Sequence, residues 1–406
     1  MTDSDVIRPQ PLGTFPLPLG YLLIPAAPET EDARLALLAG RLPEWPAALR
    51  AHELALAGDR DGALAQLTGD DPVTRYNRFV MDPDREDPAE LRSALGEFGV
   101  LVDVVLFALG RSETAPELGD ATGEIAAVVL STQASQALDE DDPARAVQLL
   151  DRAADVAAEA SAPLRGVLLG AAGSVIAPAD PGEAVSRFEQ GLKALEEADE
   201  LRLARAEMHL TLAGLLHEQA ITVPGLINRA VPHYHSALQL VLREEAPLLW
   251  AAAHADLATA YLTMPMTEAS SQLRLGVAAQ SLRSALKVYT REDYPERWGL
   301  VGGLVVQCHE LLQLWRRQAG HVADAVPQPQ QPLDQAQALD VPVRVQPIAA
   351  ARALGLERAI APLPHAQGVG RDPRQPGHGS DAMARGFGVG SHGSSESART
   401  VSATPG

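Results

Sequence analysis

Cysteine occurs once in this chain, at position 308, and lysine and asparagine twice each, in 406 residues. A lone thiol excludes an internal disulfide framework and a cysteine-built zinc site, and is compatible with a reducing compartment. Basic runs are missing as well. Of 33 basic residues 31 are arginine, they are scattered, and the net charge is −20. Nucleic-acid binding needs a basic face that releases counterions, so no nucleic-acid partner is expected. Adhesion to an anionic membrane is excluded on the same ground. The longest greasy stretch, 99–110, holds Asp103 and is far too short to span a bilayer. The first residues lack the basic region and apolar core of a secretion signal, so a cytoplasmic protein is expected. Aromatic residues make up only 4% of the chain although 46% of it is apolar, so alanine and leucine must fill the core through close packing.

What is present is a repeat. Trp298-x2-Val301-Gly302-x2-Val305 is preceded by weaker copies. They read Leu130-x2-Gln133-Ala134-x2-Ala137, Leu168-x2-Ala171-Ala172-x2-Val175, Leu210-x2-Ala213-Gly214-x2-His217 and His254-x2-Leu257-Ala258-x2-Tyr261. Between them runs a second pattern: Ala146-x3-Leu150-x2-Ala153, Ala184-x3-Phe188-x2-Gly191, Ala230-x3-Tyr234-x2-Ala237 and Ala278-x3-Leu282-x2-Ala285. Successive small residues of the first pattern are 38, 42, 44 and 44 residues apart. Two alternating helix types at a near-constant period predict an all-α fold, an α-solenoid of antiparallel helix pairs. The small residue lets two backbones approach, and the large one fills the neighbouring groove. Asp141-Asp142-Pro143 and Asp180-Pro181-Gly182 supply stop and restart signals within the pairs.

These two patterns resemble the tetratricopeptide repeat, whose first helix carries Trp-x2-Leu-Gly-x2-Tyr and whose second carries Ala-x3-Phe-x2-Ala. The likeness covers roughly residues 122–310. Its departures are a period longer than the family's 34 or so, and a tryptophan in the last copy alone. A longer-period helical-pair solenoid of the HEAT type is the alternative. The resemblance implies a protein-binding module whose first helices line a concave groove. Carried onto this chain, the groove positions are Leu169, Gly173 and Ile176; Thr211, Leu215 and Glu218; Ala255, Thr259 and Leu262; and Gly299, Gly303 and Val306. The set is small, apolar and nearly uncharged. It lacks the basic clamp with which family members hold an acidic peptide terminus. A protein or peptide partner, presented as an amphipathic helix or extended segment, fits it better.

The remaining chain divides around that array. Residues 1–30 read as a proline-rich arm, apolar enough (Phe15, Tyr21, Leu22, Leu23, Ile24) to lie on the helical body or in the groove itself. Residues 31–120 read as a helical region, with helices near 31–41, 45–57, 61–67, 73–81 and 88–109 and a degenerate repeat about Ala51 and Ala63. The array occupies 121–318. Its turns lengthen at Thr222-Val223-Pro224-Gly225 and at Thr263-Met264-Pro265-Met266-Thr267, so loops should protrude from one edge. Residues 319–406, with 11 glycines and 10 prolines, read as a disordered tail or as the product of a shifted reading frame. The array breaks off there, after the first helix of its last unit, where a second helix is due.

No catalytic constellation survives inspection, and neither a metal nor a cofactor is expected. His233 and His235 are two apart and point to different sides of a helix. Cys308-His309-Glu310 diverges in the same way. His217-Glu218 lacks the second histidine of a zinc-protease helix. His217 stands in the family's tyrosine slot, which packing explains, and Trp298 and Tyr261 read as packing aromatics. No glycine-rich loop precedes a Lys-Ser or Lys-Thr pair. The expected role is therefore a non-catalytic scaffold or assembly factor, with a regulatory sensor of a small ligand as the alternative and an enzyme third. Deleting residues 319–406 should leave the thermal melt, followed by far-ultraviolet circular dichroism, almost unchanged. A fall in Tm of more than ~4 °C would make the tail part of the fold.

Overall fold

The computed structural model describes residues 8–9, 14–15, 19–265 and 270–324. Of the tail expected to be disordered over 319–406, residues 319–324 are the end of a helix that runs to Asp324, and the rest lies outside the described residues. The described chain is all-helical apart from one two-stranded antiparallel ribbon, β1 (Arg8–Pro9) and β2 (Leu23–Ile24).

Six short helices follow the ribbon: α1 (Pro28–Leu38), α2 (Arg50–Leu56), α3 (Arg60–Gln66), α4 (Pro72–Met81), α5 (Pro88–Leu95) and α6 (Val100–Ala108). The single helix expected over 88–109 is thus two. Gly96, at φ +57°, ends α5, and a 3-10 turn over Gly96–Gly99 restarts the chain as α6. Gly99 is needed at that bend, because a Cβ there would lie 2.5 Å from the Arg92 carbonyl oxygen.

The proline-rich arm is fastened by two side chains. Asn77 on α4 accepts from the Leu23 amide (2.6 Å) and donates to the Leu23 carbonyl (2.7 Å), standing in for a strand neighbour. His52 on α2 places Nε2 3.2 Å from the same carbonyl. Burial pulls the His52 pKa down to about 4, so the ring is neutral and Nε2–H donates. Tyr21, Leu22, Leu23 and Ile24 are all buried beneath this clasp. Residues 19–24 of the arm therefore rest on α2 and α4. Beside it, Glu86 is inserted between Arg75 (2.8 Å) and Arg78 (2.6 Å). Burial works against its charge, but hydrogen bonds from the two guanidiniums prevail and hold it below the usual carboxylate range.

The array alternates first helices α7 (Gly123–Asp139), α9 (Ala162–Ile176), α11 (Arg202–Gln219), α13 (Pro247–Thr263) and α15 (Pro295–Asp324) with second helices α8 (Pro143–Ala157), α10 (Pro181–Ala194), α12 (Ile227–Leu240) and α14 (Ser271–Ala285). Each helix packs on the one before and the one after, and α9 touches α11, α11 touches α13 and α13 touches α15. This is a solenoid of paired helices. The Asp-Pro signals work as read. The side chains of Asp142 and Asp180 accept from the amides of Arg145 and Glu183 (both 2.9 Å), with proline in the first turn. The lengthened turn before α12 does stand out, with Ile221 72% and Val223 53% exposed. Of the second lengthened turn, residues 266–269 lie outside the described set.

The region before residue 120 and the array share one continuous core, which runs from Phe15 through Leu37 and Leu49 to Ala198, Leu212 and Tyr234. Helix α1 packs on α9, and α6 on α7. The Ser161 hydroxyl donates to the Leu38 carbonyl (2.9 Å), and the Glu200 amide to the Gly40 carbonyl (3.3 Å). Gly40, at φ +69°, sits so close to the turn before α11 that a Cβ would fall 2.6 Å from the Ala198 Cβ; Gly58, at φ +78°, has open space around it. Gly58→Ala should therefore cost about 1 kcal/mol, the backbone effect alone. Gly40→Ala should cost at least ~1 kcal/mol more, because a packed neighbour must move. Urea denaturation of both variants checks this; equal losses would mean that the Gly40–Ala198 seam does not hold α1 to the array.

Candidate functional site

In every complete unit the stripe formed by the first helix's small residue and the positions three before, one after and four after it is largely covered. Leu169, Leu215, Ala255, Thr259 and Leu262 are only 2–7% exposed, and Gly173 is buried. Ile176, Thr211 and Glu218 are half-buried. For the six buried positions the expectation of an open groove is therefore corrected, since they have no surface to offer a partner; Ile176, Thr211 and Glu218 keep part of theirs. The reason is visible at Gly173. A Cβ there would lie 3.2–3.3 Å from three ring carbons of Phe188, so the second helix of the same unit occupies that side. One turn away, Gly170 meets Met208 of the next first helix. Leu169 belongs to the core shared with α7 and α8, and Leu262 to that shared with α14 and α15.

The three remaining positions differ. On α15, Gly299, Gly303 and Val306 are exposed, Val306 to 58%. An added Cβ at Gly299, Gly302 or Gly303 meets nothing within 4 Å among the described residues. Leu300 (58%), Leu314 (46%) and Trp298 (40%) are further exposed apolar side chains of α15. The opposite side of α15 is properly seated, with Val301 and Cys308 buried against α13 and α14. Burial pushes the Cys308 thiol up to about 11, which leaves it un-ionised at neutral pH. Trp298, expected to pack between helices, instead lies under the Arg291 guanidinium, 5.6 Å from its ring centre. Leu300 and Leu314 escaped the sequence reading because they lie outside the repeat signature.

The histidines act as ties between helices. His233 reaches back to α11, its Nδ1 2.9 Å from Nδ1 of His209, while His235 reaches forward to the Tyr261 hydroxyl on α13 (Nε2, 2.9 Å). The two thus diverge as their spacing requires. His217 lies against Tyr234 (Nδ1 to hydroxyl 3.4 Å) and reaches Thr263 (Nε2 to Oγ1, 3.1 Å). Burial, reinforced by His233 and Arg205, pulls His209 down to about 4. Among the described residues no group of three or more histidine, cysteine or acidic side chains is placed to hold a metal. No described helix is long and apolar enough to cross a membrane. An open cleft of about 410 Å³ between α9 and α10 is lined by Ala162, Arg165, Gln190, Lys193 and Ala194.

One buried acid bears on how the N-terminal region meets the array. Glu124, in the first turn of α7, is 6% exposed and its Oε2 has no hydrogen-bond partner among the described residues. Burial raises its pKa to about 8, with Arg34 of α1 opposing. The folded state therefore binds this proton more tightly than the unfolded one, whose carboxyl titrates near 4.5. Stability from this group is full below pH 4.5 and declines as pH rises towards 8. Glu124→Gln should abolish that decline, leaving the variant about 4 kcal/mol more stable than the parent at pH 9 and changed by under ~1 kcal/mol at pH 5. Urea midpoints at the two pH values test this; parallel losses in both proteins would place Glu124 in water.

No protein-family model, curated protein or solved structure matches this chain.

Proposed function

We propose that this protein is a non-catalytic interaction module, a helical-repeat scaffold that takes up a segment of a protein partner on the open end of its array. The observation that carries this reading is the stripe on α15. Gly299, Gly303 and Val306 are exposed there, whereas most equivalent positions of the preceding units lie in the core. Exposed apolar surface bordered by charge marks an interaction site, and on α15 the exposed Glu296 and Glu310 stand one turn beyond Gly299 and Val306. The resemblance of the repeats to the tetratricopeptide family supports the same reading, because such arrays serve as binding surfaces. The net charge of −20 favours a partner with basic flanks and disfavours nucleic acid and anionic membranes.

The test is site-specific photo-crosslinking in native extract. A crosslinker at Val306 should give a discrete protein adduct, and one at Ile221, more exposed but outside the stripe, should not. Adding Gly303→Arg should reduce the Val306 adduct at least tenfold with helicity intact. Absence of any Val306 adduct, or an adduct indifferent to Gly303→Arg, would sink the reading.

A further inference from the structure

The array itself specifies what the open stripe is shaped to receive. In the first four units the first helix packs on that unit's own second helix, at Gly173 against Phe188 on this very side, and the second helix carries small–x3–large–x2–small: Ala146, Leu150 and Ala153; Ala184, Phe188 and Gly191; Ala230, Tyr234 and Ala237; Ala278, Leu282 and Ala285. These second-helix positions are buried without exception. The residue one after the first-helix notch decides how closely the large side chain can seat. It is Ser135, Gly173, Leu215 and Thr259 in the complete units and Gly303 in α15. Only Gly173 matches Gly303, and Gly173 is the position against which the Phe188 ring lies flush. Gly299, three before the notch, is smaller than any of its counterparts Ser131, Leu169, Thr211 and Ala255.

Resting on the interaction-module reading, we infer that the α15 stripe is a docking site for an amphipathic helix of another polypeptide, one that bears small–x3–aromatic–x2–small and inserts its aromatic ring against Gly303. The argument is continuity with an interface this chain already makes four times: docking adds a second helix to the fifth unit. In the sequence beyond Asp324 the pattern occurs as Ala359-x3-Leu363-x2-Ala366, which contains the helix-breaking Pro362 and Pro364, and as Gly379-x3-Met383-x2-Gly386, with glycine at both small positions. Neither has an aromatic residue at the large position. A second copy of this chain has no spare second helix either, since its four are already buried in their own units.

A synthetic peptide of residues 180–195, which carries Ala184, Phe188 and Gly191 behind the Asp180-Pro181 start, is the probe. Titrated against the full chain and followed by fluorescence anisotropy, it should bind saturably, with Kd on the order of 0.1 mM or tighter after the cost of folding the peptide. Phe188→Ala in the peptide and Gly303→Arg in the protein should each weaken binding at least tenfold, and Gly58→Ala in the protein should not. No saturable binding, or binding insensitive to either change, overturns the inference. Concentration-dependent dimerisation abolished by Gly303→Arg also overturns it, by making a second copy the occupant. A crosslinked partner at Val306 without such a helix would refute this inference and leave the general reading intact.

Discussion

Everything in this molecule depends on how closely helix backbones approach where side chains are absent or no larger than a methyl group. The tightest seam joins α9 to α10. A Cβ on Gly166 would fall 2.9 Å from the Gly191 carbonyl oxygen, and one on Gly191 would fall 2.9 Å from the Gly166 carbonyl oxygen. The two helices therefore meet backbone to backbone. Around that seam Ala172 and Ala184 are fully enclosed, as are Ala134, Ala146 and Ala153 one unit earlier. Alanine and glycine lose almost no side-chain entropy when buried, so dense packing of many weak contacts offsets their small individual apolar area. A chain with few aromatics can hold together only in this way.

The same close approach explains how the N-terminal region is joined to the array. Gly40 does for α1 what Gly166 and Gly191 do for α9 and α10: it removes a side chain where two segments must touch. Polar groups then fix the register. Ser161 caps α9 through the Leu164 amide and also donates to Leu38, so one hydroxyl starts a helix and pins its neighbour. The buried Glu124 acid and the histidines His209 and His254 show the cost of such closure, since burial moves their titration away from the ordinary range.

The periodicity of small residues was legible because packing demands it at every unit, and with it the helix pairs and the Asp-Pro starts. The groove was less legible. The stripe through Leu169, Gly173 and Ile176 was assigned to a concave face by family analogy. In a helix, stripes three and four residues apart look alike whether they face water or a neighbour. Only Gly299, Gly303 and Val306 stay open, because they belong to the last described first helix of the array. Their exposure reflects place in the stack.

By itself the sequence determined the helical class, the alternation of two helix types and the surface charge. Each follows from local rules: 3.6-residue periodicity, capping chemistry and composition. Only the tertiary structure decided that the arm folds back onto α2 and α4 and that α1 is docked on α9. It also decided which side of each first helix is consumed by its own unit. Those outcomes rest on contacts between residues far apart in the chain, such as Leu23 with Asn77, Gly40 with Ala198 and Gly173 with Phe188. Spacing reveals that a notch exists; the helix that fills it is chosen by how the whole stack closes.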